Sequence, residues 1–126
     1  MLKINFKKDA LYIFVSQSGE TADSLTAHEL AKEHRALTLG ICNVVGSSVG
    51  RETDCGIYTH AGPEIGVAST KAFTSQLMVL LMIGVKAAFL KKNISEKKYH
   101  KMISELKRIP NKIKEILKSE KEIKKI

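Results

Sequence analysis

The chain has no tryptophan, two prolines and two cysteines in 126 residues, and aromatic residues make up only 6% of it. Each scarcity excludes something. Cys42 and Cys55 are spaced as neither a disulfide scaffold nor a metal cluster, which argues against a stapled secreted domain and fits a reducing, cytoplasmic setting. His28, His34, His60 and His100 stand at no metal-ligand spacing with cysteines or carboxylates, so no metal site is expected. No Gly-Lys-Ser/Thr closes a glycine-rich loop and no Gly-x-Gly-x-x-Gly occurs, which removes the P-loop and the dinucleotide fingerprint. Lys7, Lys8 and Asp9 interrupt any apolar run near the start, so no secretory signal is legible.

Net charge is absent from most of the chain. Residues 1–90 hold eight basic and eight acidic side chains, whereas residues 91–126 hold 13 basic and 5 acidic ones and so supply the whole +8. A basic tail can attract polyanions. This one lacks interleaved aromatics and any nucleic-acid module, so a lysine-rich solvated helical face is the better reading and nucleic-acid binding is disfavoured. The length and a hydrophobic content of 44% suit one small domain.

Apolar periodicity gives the order of elements. Ala10–Ser16 is a strand, Thr21–Arg35 a helix, Leu37–Asn43 a buried strand, Ser47–Glu52 a helical turn and Gly56–Thr59 a short strand. Ser69–Lys91 is a long helix. It is apolar enough to raise the question of a membrane span, but Thr74, Ser75, Gln76 and Lys86 argue for a helix packed along a sheet instead. Pro110 divides the tail into helices over Ser95–Arg108 and Asn111–Lys125, because the residue before a proline resists the helical region. Strands alternating with helices imply an α/β fold with a parallel sheet and right-handed crossovers.

Two stretches carry chemistry. Ser16-Gln17-Ser18-Gly19-Glu20-Thr21 joins the first strand to the first helix. A glycine lets backbone approach a ligand closely, and the first helical N–H groups favour an anion. Three hydroxyls and an amide add uncharged donors, which suits a phosphate monoester that must bind and leave. Ordinary turn and N-cap residues look the same, and on composition alone that plainer reading stands slightly ahead. The second stretch, Ala61-Gly62-Pro63-Glu64-Ile65-Gly66-Val67-Ala68-Ser69-Thr70-Lys71-Ala72-Phe73-Thr74, also ends in small hydroxyls at the start of a long helix. Glu20 is suited to accept bonds from backbone at a helix start, and Glu64 to orient its loop. Cys42, at a strand end, reads as a buried inert thiol, and Gly50 as a weak point in a helical turn.

With Gly40-Ile41-Cys42-Asn43-Val44, these stretches resemble the sugar-isomerase (SIS) fold, and within it the isomerase domain of the glucosamine-6-phosphate synthase family, the isomerizing glutamine–fructose-6-phosphate aminotransferases. The resemblance runs from Leu11 to about Lys92 and continues more weakly to Ile113. It implies that Ser16, Gln17, Ser18 and Thr21 hold the sugar phosphate, and that Val67, through its backbone, and Ser69 contact the sugar. It implies fructose 6-phosphate or glucosamine 6-phosphate as ligand, nitrogen accepted at C2, a proton moved between C1 and C2, and no cofactor.

The resemblance also implies what is missing. The family's glutaminase cysteine and its catalytic glutamate, histidine and lysine match nothing here, so no catalytic residue is expected and the chain alone should be inactive. Residues 1–92 are expected to form a partial SIS domain, with an incomplete sheet, and residues 93–126 its basic helical extension. The chain then reads as a fragment, or as the product of a truncated or split gene, whose partner is a second SIS half or another copy. Two rival readings remain: a non-catalytic SIS module that senses a phosphosugar, and a basic nucleic-acid-binding fragment.

Overall fold

The computed structural model describes residues 6, 7, 9–66, 68–120 and 124. Three strands, β1 (Leu11–Ser16), β2 (Leu37–Cys42) and β3 (Cys55–Tyr58), form a parallel sheet in the order β1-β2-β3. Leu11 pairs with Leu37 and Ser16 with Cys42, while Leu39 pairs with Cys55 and Cys42 with Tyr58. The crossovers are α1 (Ala22–Glu33) and α2 (Ser48–Glu52). All three strands therefore end on one edge of the sheet, and the loops that leave that edge are the hydroxyl-rich ones.

The central strand explains where the core sits. From Thr38 to Cys42 every residue of β2 is buried, as a strand covered on both faces requires. Val49, Ala31 and His28 fill the space around it, and Phe14 meets the His28 ring edge-on at 5.4 Å. Asp54 ties the approach to β3 onto β2 by accepting from both the backbone N–H and the hydroxyl of Thr38 at 2.8 Å; the Thr38 hydroxyl holds its carboxyl below the usual range. Gly50 is no weak point. A Cβ there would lie 2.6 Å from the Tyr58 hydroxyl, so glycine is what lets α2 lie close to β3.

The contacts divide the chain into Met1–Leu80 and Leu81–Ile126, a boundary that falls inside α3 (Lys71–Leu90). The second unit contains the end of α3 and α4 (Glu96–Lys118). Phe89 stacks on Tyr99 at 4.5 Å, with the Lys86 ammonium 5.7 Å from each ring. A groove of about 670 Å³ runs between these helices, lined by Leu81, Val85, Met102 and Leu106 together with lysines such as Lys98.

Two sequence expectations fail in the helices. Pro110 does not divide the tail, because α4 runs through it. The proline forfeits one helical hydrogen bond, but Met102, Leu106, Ile109, Ile113 and Leu117 keep one apolar stripe across it. Glu105 also spans it, accepting from Arg108 at 3.0 Å and from Lys112 at 2.9 Å. Nor is α3 a covered helix: only Ala72 and Val85 in it are buried. By length and composition alone it could cross a membrane.

Candidate functional site

The first loop leaves β1 at Ser16 and closes on itself. The Ser16 hydroxyl accepts from the Gly19 N–H at 2.9 Å and shares a hydrogen bond with the Thr21 hydroxyl at 2.9 Å. Ser18 accepts from the Glu20 N–H at 3.1 Å. Accepting leaves the Ser18 hydrogen free to donate outward. Thr21 is the N-cap residue of α1, yet its side chain makes no cap bond. Among the described residues the opening N–H groups of α1 therefore have no side-chain acceptor, in the place where a helix receives an anion.

The loop is braced from beneath by α2. The Val49 N–H donates to the Gly19 carbonyl at 3.0 Å, and the Ser48 N–H donates to the Glu20 carboxylate at 2.8 Å. That backbone bond is the main reason the Glu20 carboxyl sits below its usual range. Gly19 has φ of +71°, and a Cβ there would stand 2.1 Å from the Ser47 hydroxyl and 3.1 Å from the Cys42 sulfur. Only glycine fits, both in conformation and in space. Cys42 is fully buried, and burial pushes its thiol up, in keeping with an inert role.

The second loop leaves β3 and enters α3. Here the carboxylate caps the very helix that follows. Glu64 accepts from the Thr70 N–H, from the Thr70 hydroxyl at 2.9 Å and from the Ser69 hydroxyl at 3.0 Å. The Thr70 backbone bond, above all, holds its carboxyl down to about 2. Since Ser69 gives its one hydrogen to Glu64, it can only accept from anything else. Glu64 thus orients the loop as its sequence position suggests.

Asn43, one residue beyond β2, joins the loops. Its N–H donates to the Gln17 carbonyl at 3.1 Å. Its amide donates to the Gly62 carbonyl at 2.8 Å and accepts from the Thr59 hydroxyl at 2.9 Å and the Ala61 N–H at 2.8 Å. Ser16, Gln17, Ser18 and Thr21 therefore share one edge of the sheet with the loop that carries Ser69. Val67 lies outside the described residues. Among the described residues no cluster of side chains suits a metal ion. Ser47 and the N-terminus of α2 went unforeseen, because their part depends on contacts such as Glu20 to Ser48, 28 residues apart.

Residues 1–86 match the SIS domain family. The chain is 52% identical over 118 residues to the isomerizing glutamine–fructose-6-phosphate aminotransferase of Chlorobaculum tepidum, covering 94% of this chain and 19% of that protein. It is 50% identical over 119 residues to the rat isomerizing aminotransferase 1, covering 94% of this chain and 17% of the relative. A solved structure, the C-terminal domain of glucosamine-fructose-6-phosphate aminotransferase from Francisella tularensis, superposes with a TM-score of 0.89 at 40% identity over 97% of this chain and 35% of that one. The chain thus spans less than a fifth of the length of these two curated relatives.

Proposed function

The chain belongs to the SIS domain family, and from that premise we propose that it is the sugar-phosphate-binding part of an isomerizing glutamine–fructose-6-phosphate aminotransferase. Its ligand is fructose 6-phosphate or glucosamine 6-phosphate. Ser16, Gln17, Ser18 and Thr21 take the phosphate, and Ser69 with the Val67 backbone takes the sugar. The observation that carries this reading is the uncapped N-terminus of α1 beside hydroxyls with hydrogens to give. The chemistry belongs to residues that have no match here. Residues 1–92 form the binding domain on this reading, and residues 93–126 its helical extension.

We take α3 to be covered by protein rather than by lipid, because Thr74, Ser75, Gln76 and Lys86 lie along it. We take the cover to be another copy or a second SIS half, since Leu77, Leu81 and Met82 are about half exposed and patches of that kind drive association. Sedimentation of a monomer at high concentration would count against that part.

Titration calorimetry tests the ligand. Glucosamine 6-phosphate should bind more tightly than glucosamine, with low affinity because this is one part of a larger pocket, and the chain alone should not convert fructose 6-phosphate. Equal binding of glucosamine and its phosphate would reduce the first loop to a turn and a helix start.

A further inference from the structure

We propose that Asn43 is a positioning residue that sets the span between the phosphate-holding and sugar-holding loops, and so gives the site its preference for a phosphosugar over bare phosphate. The proposal rests on the ligand reading above.

The argument starts from the sheet. The two loops leave β1 and β3, which are not neighbours. With strands about 4.8 Å apart, their ends stand about 10 Å from one another, with β2 between. Nothing in the regular ladder fixes how loops beyond the strand ends face each other. Asn43 stands at that gap, directly past Cys42, and bonds to both sides. Its main chain holds Gln17 of the first loop. Its side chain holds Thr59, Ala61 and Gly62 of the second.

The chemistry of the amide is matched to this task. The Ala61 N–H can only donate and the Gly62 carbonyl can only accept, which fixes the oxygen and nitrogen of Asn43 without ambiguity. Aspartate offers no donor to Gly62, and glutamine reaches a methylene too far. Asn43 is half-buried, so these bonds are partly shielded from water. The side chain makes no bond to the first loop, so losing it frees the second loop alone.

That asymmetry gives the experiment. Inorganic phosphate and glucosamine 6-phosphate are titrated into the chain and into Asn43→Ala, Asn43→Asp and Thr59→Val, with thermal melts alongside. In Asn43→Ala, phosphate affinity should stay within about twofold while glucosamine 6-phosphate weakens about tenfold or more. Thr59→Val, which removes one of three side-chain bonds, should weaken the phosphosugar two- to threefold. Asn43→Asp should fall between them. If Asn43→Ala does not fold, the other two variants decide. Equal weakening of both ligands would show general loosening and overturn the proposal, as would no change in either. A parent chain that binds phosphate and phosphosugar alike would instead overturn the ligand reading beneath it.

Discussion

Glu20 and Glu64 each lie inside a hydroxyl-rich loop at the same edge of the sheet, and each accepts from backbone at the start of a helix. The helices differ. Glu20 reaches past the helix that follows it and binds α2 at Ser48, so α1 opens without a side-chain cap. Glu64 turns onto its own helix and fills the start of α3 at Thr70. A carboxylate already seated at a helix N-terminus repels a second anion there. On the proposed reading the first loop is therefore the one that receives a phosphate, and the second offers hydroxyl oxygens to a sugar. The polarity of the site would then follow from which helix each glutamate caps.

The most severe break in this contrast is Gly19→Ala. The added methyl overlaps Ser47 and must adopt a left-handed backbone, a combination expected to cost about 1–3 kcal/mol or more. Binding of both phosphate and phosphosugar should drop at least tenfold by calorimetry. Pairing it with Ser47→Gly should restore part of the loss, since the overlap with Ser47 goes while the tight approach to the Cys42 sulfur and the strain stay.

Ser18→Ala comes next. It removes one donor to a charged acceptor, worth about 1.5–3 kcal/mol, and should weaken phosphate and glucosamine 6-phosphate together. Thr21→Val should act the same way, with the bond to the Ser16 hydroxyl lost as well. Ser69→Ala is the matched test in the other loop. Losing an uncharged bond of about 0.5–1.5 kcal/mol, it should weaken the phosphosugar and leave phosphate untouched. If Ser69→Ala weakens inorganic phosphate as much as Ser18→Ala does, the two loops are not divided by role.

The smallest effect is a pH dependence. The Glu64 carboxyl titrates at about 2 in the folded loop against an ordinary value of 4.5. The folded chain thus binds fewer protons between those values. The stabilisation is complete above pH 4.5 and is lost as the pH falls toward 2. Melting curves should show that acid slope, and Glu64→Gln should flatten it. Glu20→Gln should flatten it too, because the Ser48 backbone bond holds the Glu20 carboxyl below its usual range.

Much of this arrangement is legible in the chain. The apolar runs at Leu11–Val15 and Leu37–Cys42 mark the strands. The burial of β2 from Thr38 to Cys42 follows from its central place in the sheet, whereas β1 at the edge leaves Leu11 and Val15 partly exposed. The first hydroxyl cluster then falls at a strand end and the second at a helix start by position alone. What is not legible depends on contacts distant in sequence. Glu20 sits at the head of α1, and nothing nearby says that it serves α2. Gly50 reads as a helix weakness until Tyr58 is placed against it. Pro110 reads as a helix end because local rules treat a proline as a stop, whereas α4 continues through it with Glu105 paired to Lys112 on its far side.

The sulfur of Cys42 lies directly under Gly19, and this turns the floor of the first loop into a clock. A buried thiol meets an alkylating reagent only when its cover lifts. Cys55 is exposed and should be modified at once, so slow incorporation of a second label would time the opening of the loop. A ligand seated above Gly19 should lengthen that time, and glucosamine 6-phosphate should do so at concentrations where glucosamine does not.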